Sequence, residues 1–222
     1  MEICMLLIDG IHLLEDVKGA HCYLVTGSNP FLIDTGFPRQ ETVIIKYLQK
    51  VGVEPQRLQG IILTHFDLDH VGSVVALQNI AKCPIYAHAI EIPYILGNIP
   101  RTGIKYWLPI LMRPVLGKLV APEYIEALEE NNYFQDWEII HAPGHTPGHI
   151  ILYRNGIAIV GDLLQGGQIR LAPTFLTWKK STLMESVNTL ITRPLRWILP
   201  GHGPATPASI HWLDQLKNTS VF

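Results

Sequence analysis

Thr64-His65-Phe66-Asp67-Leu68-Asp69-His70 is the stretch on which the reading of this chain turns. It follows Gly60-Ile61-Ile62-Leu63, an apolar, β-branched run with the length of a short buried strand. Alternate side chains of an extended segment share a side, so His65, Asp67 and Asp69 are expected to converge, with His70 joining them where the chain turns. Four groups able to bind a metal within six residues, at the end of a strand, point to a site rather than to a polar loop.

Outward from this stretch the apolar periodicity alternates between strand and helix. Residues 21–25 and 31–34 read as a hairpin about Gly27-Ser28-Asn29-Pro30. Ile44, Tyr47, Leu48 and Val51 repeat at helical spacing, and further helices are expected over 71–81, 182–191 and 207–217. Strands are expected over 85–87, 138–141, 149–153, 157–160 and 197–199, with Asn155-Gly156 as a hairpin turn. Solidly apolar strands interleaved with helices imply sheets covered on both faces.

More candidate ligands sit at later strand ends. They are His145 in Ala142-Pro143-Gly144-His145-Thr146-Pro147-Gly148-His149, Asp162 in Val160-Gly161-Asp162, and His202 in Leu199-Pro200-Gly201-His202-Gly203. Asp34, in Ile33-Asp34-Thr35-Gly36, ends the early hairpin. Together these amount to four imidazoles and three carboxylates, enough for two metal ions sharing a group, with Asp34 outside that set.

In these ordered motifs the chain resembles the metallo-β-lactamase-fold superfamily of metallohydrolases, from Asp34-Thr35-Gly36 to Gly201-His202-Gly203. The resemblance implies a mixed α/β, α+β architecture, a four-layer αββα sandwich, as a single domain over 1–222. It implies one divalent ion held by His65, Asp67 and His145, a second by Asp69, His70 and His202, and Asp162 bridging both. Asp69 and Asp162 are the expected catalytic groups. Asp34, Thr64 and His149 are expected to support the ligands by hydrogen bonding. The implied reaction is attack by a metal-bridging hydroxide on a small ester, thioester, lactone or related bond.

The family's usual first motif is His-x-His-x-Asp-His, and this chain has Asp67 at its second histidine. The substitution leaves the site one unit less positive, and its harder oxygen admits iron or manganese beside the expected zinc. A related flavodiiron-type domain also carries a carboxylate there. This sets the alternative: a diiron redox protein reducing oxygen or nitric oxide with a separate electron donor.

The chain has 222 residues, 48% hydrophobic and 16% charged, with a net charge of −2. That balance excludes a bulk nucleic-acid binder. Cys4, Cys22 and Cys83 form no C-x-x-C pair and read as buried thiols, and the first residues lack a basic leader, so a cytoplasmic protein is expected. His12, His21, His88 and His211 have no partner motif, and His141 reads as structural.

Residues 92–122 depart from the rest: they hold Arg101, Lys105, Arg113 and Lys118 and no acid, which leaves −6 for the remainder. Tyr94, Tyr106 and Trp107 make this segment the expected cover for a small-molecule substrate with an apolar portion. A packed helical hairpin or homodimer contact, and a membrane-surface contact, are the competing readings. Pro109, Pro114 and the charges argue against a transmembrane segment.

Overall fold

The computed structural model describes residues 6–128, 132–167 and 169–209. Cys4, His211 and most of the helix expected over 207–217 fall outside them. The chain divides into two compact units, the first comprising residues 1–87 and 92–127, the second residues 88–91 and 128–222.

The first unit is built on a seven-stranded sheet ordered as the chain runs. Its strands are β1 (Leu6–Ile8), β2 (Ile11–Leu13), β3 (Tyr23–Val25), β4 (Phe31–Ile33), β5 (Ile61–Leu63), β6 (Ile85–His88) and β7 (Glu126–Leu128). β1 to β4 pair antiparallel, while β5 lies parallel to both β4 and β6. The helices are α1 (Glu41–Lys50), α2 (Leu68–Val71), α3 (Val74–Ala81), α4 (Ile92–Ile95) and α5 (Ile104–Leu116).

Alternation along the strands explains the core. Leu24, Leu32, Ile61, Leu63 and Ile85 pack in one cluster with Ile44 and Leu48 of α1 and Val74, Leu77 and Ala81 of α3. The intervening Tyr23, Phe31, Ile33 and Ile62 are buried as well, so both faces of these strands are covered, as their solid hydrophobicity requires.

The second unit contains β8 (Tyr133–Phe134), β9 (Trp137–His141), β10 (Ile150–Arg154), β11 (Ile157–Gly161), β12 (Leu164–Gln165), β13 (Arg170–Leu171), α6 (Lys180–Ile191), β14 (Trp197–Pro200) and β15 (Thr206–Pro207). Six of these strands form a sheet ordered β15-β14-β11-β10-β9-β8, while β12 and β13 pair separately. Asn155 and Gly156, at φ of 50° and 82°, make the tight turn between β10 and β11. Leu183, Val187 and Leu190 of α6 cover Ile151, Ala158, Val160 and Ile198.

β9 and β11 run alike because both are antiparallel to β10, and β14 is parallel to β11. The C-terminal ends of all three strands therefore open on one edge, which carries the loop to His145, Asp162 and His202. In the first unit the parallel strands β4 and β5 end on Asp34 and Thr64 in the same way.

Three expectations are corrected. The helix over 71–81 breaks into α2 and α3 at Gly72 and Ser73, and Asp69 lies in the first turn of α2 rather than on an extended chain. The 207–217 helix does not begin at Pro207, which ends β15. The chain also forms β1 and β2, two strands of three residues each that were not expected.

Gly72 keeps helical dihedrals, φ −58° and ψ −39°, and the chain departs from them at Ser73, φ −105° and ψ 7°. Pro38 and Phe37 sit against Gly72, where an added Cβ would lie 2.2 Å from Pro38 N and 2.3 Å from Phe37 C. Gly72→Ala is therefore expected to cost about 1–3 kcal/mol of stability, as overpacking does. It would be read as a lower urea midpoint; an unchanged midpoint would mean that 36–38 yields freely.

Candidate metal centre

In the first unit the loop after β5 is organised around one buried carboxylate. Asp34, with φ of 57°, accepts the Thr64 N–H on Oδ1 at 2.8 Å and the Thr64 hydroxyl on Oδ2 at 2.7 Å. Its Oδ2 also lies 2.8 Å from His70 Nδ1. A carboxylate acceptor requires Nδ1 of His70 to carry the proton, which puts the lone pair on Nε2. Thr64 gives its one hydroxyl proton to Asp34, so at 3.0 Å from His65 Nδ1 it accepts a proton there, and His65 is fixed in the same tautomer. Both histidines are fully buried.

Asp67 Oδ2 lies 3.5 Å from His65 Nε2 and 2.6 Å from Lys105 Nζ of α5. The residue between, Phe66, stacks on Tyr94 with centroids 4.9 Å apart, and both Arg101 and Lys105 place their cations 5.4 Å from its ring centre. The 92–122 segment is thus anchored onto the metal-motif loop. Tyr94 and Tyr106 line a cavity of about 370 Å³ with Ile95, Ile99, Arg101 and Ile110. Trp107 meets Tyr106 edge-on and is exposed, in a stripe with Leu111 and Val115 along α5.

In the second unit the loop after β9 is clamped by the start of α6. Lys179 N donates to Gly144 O, Trp178 N to His145 O, and Ser186 Oγ to Pro143 O. His145 Nε2 and His202 Nε2 lie 3.6 and 3.4 Å from the same oxygen, Asp162 Oδ2. His149 Nε2 accepts the Asp162 backbone N–H at 3.1 Å, which uses the lone pair a metal would need and makes His149 a support for the Asp162 turn. His141 stacks on His88 with centroids 4.2 Å apart and bonds Pro147 O.

These separations test the donor set. Good N–H···O bonds measure about 2.7–3.2 Å, whereas neighbouring ligands on a tetrahedral ion with bonds near 2.1 Å lie about 3.4 Å apart. The 3.5 Å spacing of His65 and Asp67 in the first unit, and the 3.6 and 3.4 Å spacings of His145 and His202 from Asp162 in the second, match those of ligands on a cation. Tautomers held by Thr64 and Asp34 and three carboxylates complete a set suited to divalent ions.

Sequence reading missed the individual role of Lys105, which it left among four basic residues. The signal was available in the charge distribution: an acid-free +4 segment beside a motif with one aspartate more than the family pattern. Glu91 was also missed. It is fully buried and accepts the Gly148 N–H at 2.6 Å, bracing the β9–β10 loop, and nothing in its local sequence marks it.

Comparison with known proteins gives a consistent picture. The metallo-β-lactamase superfamily profile matches residues 16–202. A probable metallo-hydrolase, YflN of Bacillus subtilis, is 28% identical over 225 residues, covering 85% of each chain. The hydroxyacylglutathione hydrolase GloC of Haemophilus influenzae is 29% identical over 184 residues, covering 80% of this chain and 82% of its own. Among solved structures, TTHA1623 in a di-iron-bound form superposes with a TM-score of 0.69 at 28% identity, covering 85% of this chain and 89% of that one.

Asp34→Asn keeps the shape but weakens the acceptor that fixes His70. It is expected to lower zinc affinity by about 10–100-fold, measured by chelator competition; unchanged affinity would remove Asp34 from the support of the site. Burial, reinforced by neighbouring His141, lowers the His88 pKa from 6.5 to about 4. The unfolded chain then takes up this proton before the folded one, so the contribution is intact above about pH 6.5 and is lost as pH falls toward 4. Melting temperatures of chelator-stripped protein should fall across that window, and His88→Gln should flatten the fall.

Proposed function

From the premise that this chain belongs to the metallo-β-lactamase superfamily and is a metal-dependent hydrolase, we propose that it is a binuclear enzyme cleaving a small ester or thioester. In this reading His65, Asp67 and His145 would hold one divalent ion, Asp69, His70 and His202 would hold a second, and Asp162 would serve both. The observation that carries it is Asp162 Oδ2, which faces His145 and His202, histidines assigned to different ions, at ligand-like distances. Two such ions, when bound, supply a water acidified to near-neutral pH and polarise the bond under attack.

The chain's own residues supply positioning and proton handling. Asp34 and Thr64 hold the histidine tautomers, and His149 and Glu91 fix the loops bearing Asp162 and His145. Asp69 and Asp162 are the carboxylates assigned to hold the proton of a water that the ions would activate. The cavity lined by Tyr94 and Tyr106 takes the apolar portion of the substrate, with Arg101 at its wall for an anionic group. Trp107 is outside that lining and is reassigned to the exposed stripe of α5, the face a homodimer would use.

A thioester is favoured within the substrate class because GloC, a relative across most of both chains, is named for hydrolysis of hydroxyacylglutathione. The hydrolytic relatives also weigh for hydrolysis against the diiron redox alternative. Zinc or iron fits the donor set, and the di-iron-bound form of TTHA1623 supports iron. None of the described helices is long and apolar enough to cross a membrane. A cytoplasmic setting is part of the proposal, supported by the free, buried thiols of Cys22 and Cys83. Burial pushes both thiols up, Cys22 well above its ordinary range and Cys83 to about 11.

Two measurements test this. Protein of known metal content, assayed on S-acyl glutathiones, aryl esters, lactones and phosphodiesters, should turn over the thioesters or esters best; turnover of phosphodiesters alone would overturn the substrate class. Asp162→Ala should cut turnover by more than about 100-fold, beyond what loss of an outer hydrogen-bond partner costs, and reduce bound metal. Full activity with full metal content would contradict the bridging role.

A further inference from the structure

Lys105 is the one residue of α5 that is buried, at 8% exposure, and its ammonium meets Asp67 Oδ2 at 2.6 Å. A lysine is rarely buried unless its charge is paired, so the helix places it there for that carboxylate. The contact falls at the position where this chain departs from the family motif. A neutral histidine there would bring no charge, Asp67 brings −1, and Lys105 returns the sum to zero. The Phe66 ring, with Tyr94 stacked on it and the cations of Arg101 and Lys105 within 5.4 Å, holds the helix and the loop in this register.

We propose that Asp67 and Lys105 act as one neutral unit in place of the motif's second histidine, with Lys105 acting on the metal through the charge of the ligand it pairs. Lys105 meets Oδ2, the same oxygen that faces His65 Nε2 at 3.5 Å, and keeps the net charge of the site at the value a histidine would give. The 92–122 segment is then part of the metal centre as well as a wall of the adjoining cavity. The inference rests on the proposed ligation by Asp67.

A double-substitution cycle on the full chain tests it, read as zinc stoichiometry and affinity by elemental analysis and chelator competition, with circular dichroism to confirm folding. Asp67→His alone leaves the ammonium facing a metal cation, and zinc affinity at that site should fall at least about tenfold by charge repulsion. Adding Lys105→Met to Asp67→His should restore affinity to near the starting value. Lys105→Met alone removes a cation from the site and should tighten zinc binding at least about threefold, whereas Lys105→Arg should leave it unchanged.

If Asp67→His binds zinc as tightly with Lys105 as without it, the charge-pairing role is wrong and the lysine merely fastens the helix. If either Asp67→His protein fails to fold, the single Lys105 variants decide: unchanged or weaker binding in Lys105→Met overturns the proposal. Failure of the underlying reading has a different signature, namely a starting protein that binds fewer than two zinc ions per chain.

Discussion

The Asp34 carboxylate is the constraint on which the first half of the site depends. It ends β4, receives both the backbone and the hydroxyl of Thr64 at the end of β5, and fixes His70 on α2. Hydrogen bonds to a charged group are each worth about 1.5–3 kcal/mol, and a buried carboxylate without them would be strongly unfavourable. The sheet pairing of β4 with β5 brings these groups together, and their pairing in turn settles which nitrogen of His65 and of His70 carries a lone pair. Fold and ligand chemistry are thus joined at one side chain.

The second unit reaches the same end by strand direction. Because β9, β11 and β14 run alike, their C-terminal loops share an edge, and α6 clamps one of those loops by its first turn and Ser186. Asp162 stands between His145 and His202 with its backbone held by His149. Each unit therefore presents rigid, pre-oriented donors, the condition for a metal site that does not reorganise on binding.

Much of this was legible in the sequence where the signal was local. Solid apolar runs gave β3 to β5 and β9 to β11, helical spacing gave α1 and α6, and Asn155-Gly156 gave its turn. The ligand motifs were readable because each lies directly after a strand. What was not legible depends on contacts between distant segments. The break between α2 and α3 falls at Ser73, whose hydroxyl accepts from Gln40 N and donates to Phe37 O, 33 and 36 positions away, and no pattern near residue 72 announces it. β1 pairs with β2 and β2 with β3, and each is a three-residue run too short to announce itself. The lysine–aspartate pair spans 38 positions of the sequence. Only the charge imbalance of 92–122 hinted at it. That imbalance, first read as an invitation to a ligand, is met in part by an aspartate of the same chain.

The central claim is that this chain holds two metal ions bridged by Asp162. Anomalous X-ray diffraction from crystals of the metal-loaded protein, recorded at the zinc and iron edges, tests it most directly. The account predicts two peaks per chain: one contacted by His65, Asp67 and His145, the other by Asp69, His70 and His202, with Asp162 touching both. A single peak, or two peaks with Asp162 bound to neither or only one, would contradict it.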